Sequence, residues 1–161
     1  MNAEDILFYA NKHVLDALQD FPDDQWDASG VTGWWSMKHV LGHLTAFETL
    51  LVAALESFGR QPSAYLQKYL DLGGHEFNNQ AVPPLAQKPL AELWGQYHAA
   101  HARSLELLRL IPLEKRRQAG TLPWYGAEYD LEDFIAYTYY GHKREHMGEI
   151  NAFRDRLRNA A

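Results

Sequence analysis

The sequence predicts an all-α protein, a four-helix bundle with one long crossover connection. Four segments carry apolar residues at helical spacing. No segment shows the sustained two-residue alternation, rich in β-branched residues, that half-buried strands require. With 161 residues and 47% apolar content, the chain can bury the core of one domain, which we place at residues 1–161.

The first two predicted helices are separated by a loop rich in turn-forming residues, "DFPDDQWDASG". Helical periodicity predicts the first helix from about Ala3 to Leu18. Ser36 is placed as the N-cap of the second helix, since its hydroxyl can accept a hydrogen bond from a free backbone N–H of the first turn. That helix should continue to Phe58, where "GRQP" ends it.

The crossover connection is predicted between Pro62 and Pro89. Within it "AYLQKYLDL" is compatible with a short helix, whereas "GGHEFNNQAVPP" is typical of an irregular connection. The third helix should begin near Pro89, because proline is favoured in a first helical turn, and end at "IP". Asp130 is a good N-cap for the last helix, which can run to about Arg158.

Composition argues against several classes of function. The net charge of -6 and the absence of a basic run longer than "EKRR" predict no nucleic-acid partner. The chain has no cysteine, which excludes disulfides and thiolate ligands, so any chemistry depends on nitrogen and oxygen atoms. The longest apolar run, "LLVAAL", is far shorter than the roughly 20 residues that span a bilayer, and we expect a soluble cytoplasmic protein with no membrane partner.

Two histidines lie four residues apart in the last predicted helix, within "YGHKREHMGEI". On a helical wheel of about 100° per residue, His142 and His146 fall in the middle of an apolar stripe and Lys143 lies on another side. Residues at this spacing have Cβ atoms roughly 5–6 Å apart, so both rings can reach one ion. A metal site would need a third ligand from another helix.

Four other side chains are candidates for that site. His43 lies about 60° from the centre of the apolar stripe of the second helix, and His39 lies about 100° from it, so His43 is the better ligand candidate. His101 is central on the third helix and could be a pocket residue, a fourth ligand or a core histidine. Glu149 lies near the histidine face and could accept a hydrogen bond from the second ring nitrogen of a ligand.

These motifs resemble those of the DinB-like (YfiT-like) metal-enzyme superfamily. The stretch "GWWSMKHVLGHLTAFETLL" is similar to the second helix of that family. "LPWYG", followed by "DLEDFIAYTYYGHKREHMGEINAFRDRL", is similar to its last helix with paired histidines. The resemblance extends from about Asn2 to Leu157 and includes the middle segment "HEFNNQAV".

The resemblance implies a four-helix bundle that holds a divalent ion, zinc or nickel, on His43, His142 and His146. His39 lies where relatives commonly have an acidic or other polar residue. Known activities in the family include thiol-dependent transferases and isomerases, and a hydrolase-like branch that protects against a reactive metabolite. Because this chain lacks cysteine, a low-molecular-weight thiol would have to arrive as a cosubstrate.

Three hypotheses remain open at this stage. The first is a metal-dependent transferase, isomerase or hydrolase that acts on a small-molecule substrate. The second is a non-catalytic protein that sequesters a small molecule in the same metal-containing cavity, and the third is a bundle whose core histidines bind no metal. A homodimer is the expected assembly, since dimers are the commonest oligomers. Aromatic residues near the ends of the ligand-bearing helices could form an entrance, with part of them serving bundle packing; they are Trp34, Trp35, Trp124, Tyr125, Tyr139 and Tyr140.

Overall fold

The computed structural model describes residues 2–160 and is almost entirely helical. In chain order the elements are α1 (Ala3–Leu18), β1 (Ser29–Thr32), β2 (Trp35–Ser36), α2 (Met37–Glu56), α3 (Ala64–Ala86), α4 (Leu90–Leu110), α5 (Leu113–Arg116), α6 (Leu131–Ile135), a π-helical segment (Ala136–Gly141) and α7 (His142–Ala160). The predicted all-α class is confirmed. No helix within residues 2–160 is long and apolar enough to cross a membrane.

Two of the main helices begin at the polar N-cap residues that the sequence predicts. The Ser36 side chain accepts a hydrogen bond from the backbone N–H of His39 at the start of α2. The Asp130 side chain accepts one from the backbone N–H of Asp133 at the start of α6. Both satisfy an N–H that has no partner within its own helix. The second helix ends at Glu56, two residues before the predicted end.

The prediction of an irregular connection at "GGHEFNNQAVPP" is wrong. The segment lies in α3, which is kinked where Gly73 adopts a left-handed φ of 71° and then continues past Pro83 and Pro84 to Ala86. Four buried side chains dock α3 on the bundle; they are Leu66, Phe77, Val82 and Ala86. This burial outweighs the unfavourable local propensity of glycine and proline, because most helical stability in proteins comes from packing.

A short antiparallel hairpin precedes α2. In it β1 pairs with β2, with Ser29 opposite Ser36 and Thr32 opposite Trp35. Sequence periodicity did not predict it, since strands of four and two residues are too short to show an alternating pattern. The hairpin places Trp35 immediately before the first turn of α2, beside the helix that carries His43.

The core consists of two clusters, one toward each end of the bundle. One contains Leu7 of α1 together with Leu51 of α2 and Leu108 of α4. The other contains Val14 of α1 and Leu41 of α2, and extends to Ile150 of α7. Since later residues of α1 share a cluster with earlier residues of α2, these two helices are antiparallel. By the same comparison, the last helix, from α6 to α7, is parallel to α1, and α4 is parallel to α2. The helix α3 therefore forms the long crossover that connects the parallel helices α2 and α4.

The last helix contains a π-helical segment between α6 and α7, and this changes which residues face the core. Lys143 is buried, with 2% of its surface exposed, although the wheel placed it on another side of the helix. His142 and His146 are half-buried at the flank of the core instead of at its centre. A π turn accommodates one more residue than an α turn, and every later side chain is therefore rotated relative to an uninterrupted helix.

Candidate metal centre

Three imidazole rings, from two separate helices, meet at one point. Nε2 of His142 lies 2.9 Å from Nε2 of His43 and 2.9 Å from Nε2 of His146. The candidate ligand atoms of all three residues lie within 4.8 Å of one another. Bonds of 2.0–2.1 Å to a shared ion would place ligand nitrogens roughly 2.9–3.4 Å apart at angles of about 90–110°. Among residues 2–160, this is the group of side chains that could hold a metal ion.

The second nitrogen of each ring is engaged by the protein. Nδ1 of His43 donates to Oδ1 of Asn78 on α3 at 3.0 Å. Nδ1 of His146 donates to the Glu149 carboxylate at 2.8 Å. The ring of His142 hydrogen-bonds the backbone of Thr138, in the π-helical segment. Each partner offers an oxygen acceptor, which fixes the ring tautomer as metal-binding histidines require.

These hydrogen bonds determine what the centre of the site can bind. A neutral imidazole that carries its proton on Nδ1 has only a lone pair on Nε2. The His142 lone pair faces those of His43 and His146 at 2.9 Å each, and all three atoms lie within 4.8 Å of one another. Such lone pairs repel, and no donor among them relieves the repulsion. A cation at the common point satisfies all three acceptors together, so the donor set fits a divalent metal that favours imidazole ligands.

Burial keeps two of the rings neutral. It lowers the pKa of His43 to about 3, assisted by the charges that His146 and His142 would carry if protonated, and the Asn78 hydrogen bond opposes the change only in part. Burial also lowers the pKa of His142 to about 4, with His146 and Lys143 contributing. Neutral rings are the form that binds metals, and both rings retain it well below neutral pH.

A model of the DinB superfamily matches residues 8–150, a span that contains α2, α3, α4 and all three histidines. The chain belongs to the DinB superfamily. No functionally curated protein and no solved structure shows a significant match to it. The family assignment confirms the resemblance drawn from "GWWSMKHVLGHLTAFETLL" and the paired histidines of the last helix.

Aromatic rings pack against the ligand face of this DinB-superfamily chain. Phe47, one turn after His43 on α2, has its ring centroid 4.6 Å from that of His43 and 4.8 Å from that of His142. The Trp35 ring lies 5.3 Å from the His43 ring. Both can exclude water from the protein side of the site, which strengthens electrostatic interactions there.

Of the other five aromatic residues predicted to form an entrance, one lies next to the site and four lie away from it. Trp34 is 64% exposed and its ring contacts those of Trp35 and His39, so it is adjacent to the site. Tyr139 is buried in the core. The remaining three pack on other parts of the bundle: Trp124 and Tyr125 on Phe134, and Tyr140 beside His13.

His39 has a structural partner at the start of α2. Its Nδ1 lies 2.8 Å from the Ser36 hydroxyl and 3.4 Å from the Ser36 backbone N–H, which completes a reciprocal capping box. Burial lowers its pKa, with Asp27 opposing the change. His39 thus stabilises the turn that precedes His43 and lies outside the group of three rings.

His101 is likewise separate from the three rings. It is 7% exposed on α4, and its Nδ1 lies 3.3 Å from Oε2 of Glu48, which is fully buried on α2. Of the three roles left open by the sequence, this placement corresponds to the core histidine. Glu149 occupies the position expected of an acceptor for a ligand histidine.

Sequence reasoning did not identify Asn78 or Thr138. Asn78 lies in the segment predicted to be irregular, next to Asn79, and nothing in residue type or spacing separates the two amides. Thr138 acts through its backbone, which no side-chain pattern reveals. The one available signal for Asn78 is that "HEFNNQAV" resembles the family's connection and places an amide directly after Phe77, a buried residue.

Proposed function

We propose that this DinB-superfamily chain is a divalent-metal-dependent enzyme that acts on a small molecule. In this proposal His43, His142 and His146 hold the ion through their Nε2 atoms. The supporting observation is the pairing of three converging Nε2 atoms with three separately anchored second nitrogens. A core of hydrogen-bonded histidines without metal has no need for such an arrangement.

The protein contributes orientation and charge. Asn78, Thr138 and Glu149 each hold one ring so that its lone pair points at the shared centre. No carboxylate belongs to the ligand group within residues 2–160, so the full dipositive charge of an ion would remain uncompensated by its direct ligands. Such an ion, when bound, supplies Lewis-acid activation of a water or thiol.

The reaction class follows from the same charge. A site with three neutral ligands and open positions suits activation of a nucleophile against an electrophilic small molecule, by hydrolysis or by transfer to a thiol. A low-molecular-weight thiol is the proposed cosubstrate, since the chain has no cysteine of its own. Zinc and nickel are the proposed ions, as imidazole accepts both. A cytoplasmic homodimer, with no nucleic acid or membrane as partner, is the proposed setting.

The test uses metal-free protein reconstituted with zinc or nickel and offered a panel of electrophiles with and without low-molecular-weight thiols. Consumption of an electrophile should rise with added metal until about one equivalent per chain is present. His142→Ala should abolish the turnover, because two remaining imidazoles hold the ion poorly. Ligand binding without any metal-dependent turnover across the panel would contradict an enzyme and favour sequestration of the small molecule in the same cavity.

A further inference from the structure

The β-hairpin before α2 presents a tryptophan at the surface beside the candidate metal centre. Because Thr32 pairs with Trp35, the turn between the two strands consists of Gly33 and Trp34. Trp34 is 64% exposed, whereas the other four tryptophans of the chain are half-buried or buried. Burial of an indole ring is strongly favourable, so its exposure at this turn calls for a physical reason.

Trp34 is the outer member of a row of aromatic rings that ends at a candidate ligand. Its ring centroid lies 6.4 Å from that of Trp35, with the two planes at 85° to each other. The Trp35 centroid lies in turn 5.3 Å from that of His43. Both distances fall in the range of favourable aromatic contacts. The exposed indole therefore continues the wall of the site, unlike a hydrophobic side chain that stands alone on a surface.

His39 supports the Trp34 ring from the first turn of α2. The two centroids lie 4.9 Å apart, with an angle of 76° between the planes. The His39 ring is itself held in place, because its Nδ1 lies 2.8 Å from the Ser36 hydroxyl in the capping box. An indole packed against a fixed neighbour loses little conformational freedom when it contacts a ligand, which favours binding.

The charges beside this aromatic surface compensate each other. Burial lowers the pKa of His39, and the smaller effects of Asp27 and Lys38 on it have opposite signs. These two side chains also pair with each other, with 3.5 Å between Nζ and Oδ1. An aromatic surface next to a compensated pair favours an uncharged ring over a carboxylate or an ammonium group.

We propose that Trp34 and Trp35 form a platform for an uncharged aromatic ring of the substrate. The ring packs on the exposed indole of Trp34, and the electrophilic group extends from it past Trp35 to the point where the three Nε2 atoms meet. Trp34 is then the residue that selects aromatic substrates. This inference rests on the proposed function, to which it adds the chemical class of the small molecule.

Two hydroxamates of nearly equal size test this preference on zinc-loaded protein. Benzohydroxamate and cyclohexanecarbohydroxamate bind zinc through the same two oxygens, and they differ in whether the attached six-membered ring is aromatic. Calorimetric titration of each gives the ratio of their affinities. An aromatic contact with Trp34 should shift this ratio toward benzohydroxamate by about three- to tenfold, relative to a variant without the indole.

The variants replace the indole with and without an aromatic ring. Trp34→Leu should lose the three- to tenfold shift, and Trp34→Phe should retain most of it. Zinc affinity and the affinity for acetohydroxamate, which has no ring, should be the same in both variants as in wild type. Phe8→Leu, on a similarly exposed aromatic residue of α1 at 57%, is the matched control and should leave the ratio unchanged.

The outcomes separate this inference from the proposed function. A wild-type protein that binds no zinc would overturn both. Normal zinc binding with the same hydroxamate ratio in wild type and Trp34→Leu would overturn the aromatic platform alone. If Trp34→Leu also converts a dimer to a monomer while the ratio stays constant, Trp34 is exposed for contact with a second copy of the chain, and its role toward the substrate is refuted.

Discussion

Each candidate ligand owes its orientation to one particular oxygen. His43 depends on a side chain from α3, His146 on a carboxylate one turn later in its own helix, and His142 on a backbone group of the π-helical segment. The three acceptors differ in chemistry but have the same effect, since each places the proton on Nδ1 and leaves Nε2 free. Removal of any one should weaken the site without removing a ligand.

Asn78→Ala tests at a single residue whether an acceptor for the second ring nitrogen supports the candidate metal site. The variant should bind zinc about 10–100-fold more weakly, because the His43 ring loses the acceptor that fixes its tautomer. The measurement is competitive zinc titration against a chromogenic chelator. Asn79→Ala, on the neighbouring exposed amide of the same helix, is the matched control and should bind zinc as wild type does. Equal affinities for the two variants would show that the Asn78 hydrogen bond does not support the site.

The depressed pKa values of His43 and His142 predict acid sensitivity of the metal-free protein. In the unfolded chain these groups gain protons below about pH 6.5, whereas in the folded protein they remain neutral down to about 3 and 4. The unfolded state therefore binds more protons in this window, and stability should be full above about pH 6.5 and fall steadily toward pH 4.

Urea unfolding of chelator-treated protein over that pH range measures the effect. His142→Gln should show a shallower decline, since its contribution to proton uptake on unfolding is removed. A wild-type midpoint that stays constant from neutral pH to about pH 4 would contradict the neutral, buried state of the two rings.

At the scale of elements, α3 and the π-helical segment are the features that local sequence patterns describe least well. The Gly73 kink and two prolines favour an irregular segment locally, and only the burial of Leu66, Phe77 and Val82 against the bundle makes α3 a helix. Similarly, no side-chain periodicity within the last helix reveals the π turn. Both features carry partners of the histidines, Asn78 and Thr138, which explains why these residues escaped prediction.

A close approach between α2 and α3 allows Asn78 to reach His43. Gly42 precedes His43, and a Cβ at this position would lie 3.2 Å from the Leu85 Cβ and 3.5 Å from the Ala86 backbone nitrogen. Because the space between the two helices is filled by backbone and Cβ atoms, α3 has to move away to accommodate a side chain. The glycine therefore sets the distance between the ligand helix and the helix that carries its hydrogen-bond partner.

Gly42→Ala should accordingly lower the free energy of unfolding by about 1–3 kcal/mol. It should also weaken zinc binding, as Asn78→Ala does. Denaturant unfolding and zinc titration measure the two effects. Gly95→Ala is the control: it lies exposed in the interior of α4 with no atom within 4 Å of the added Cβ, and it should stabilise by about 0.5–1 kcal/mol. A Gly42→Ala protein as stable as wild type would show that α3 can shift freely.

At the scale of the whole molecule, much of the architecture could be predicted from sequence. Amphipathic periodicity predicted the four main helices, and the N-cap residues Ser36 and Asp130 predicted where two of them begin. The i,i+4 spacing of His142 and His146, with His43 on another helix, predicted a convergence that the bundle geometry displays. What could not be predicted depends on contacts between distant segments, such as the burial of Lys143 against Glu48.

The bundle topology has a further consequence for stability. The three rings join α2 to the last helix, and their ligand atoms lie together only in the folded chain. An ion that binds this arrangement and not the unfolded chain adds its binding free energy to the stability of the whole fold. If the three histidines hold an ion, metal content and the free energy of unfolding are linked quantities.

The metal content of protein produced without a histidine tag or a nickel column tests the central claim most directly. We predict about one equivalent of divalent ion per chain, loss of that ion in His43→Ala, and a lower unfolding temperature after chelation that added zinc restores. Less than about one tenth of an equivalent, with an unfolding temperature that neither chelator nor added zinc changes, would contradict the assignment of His43, His142 and His146 as a metal site.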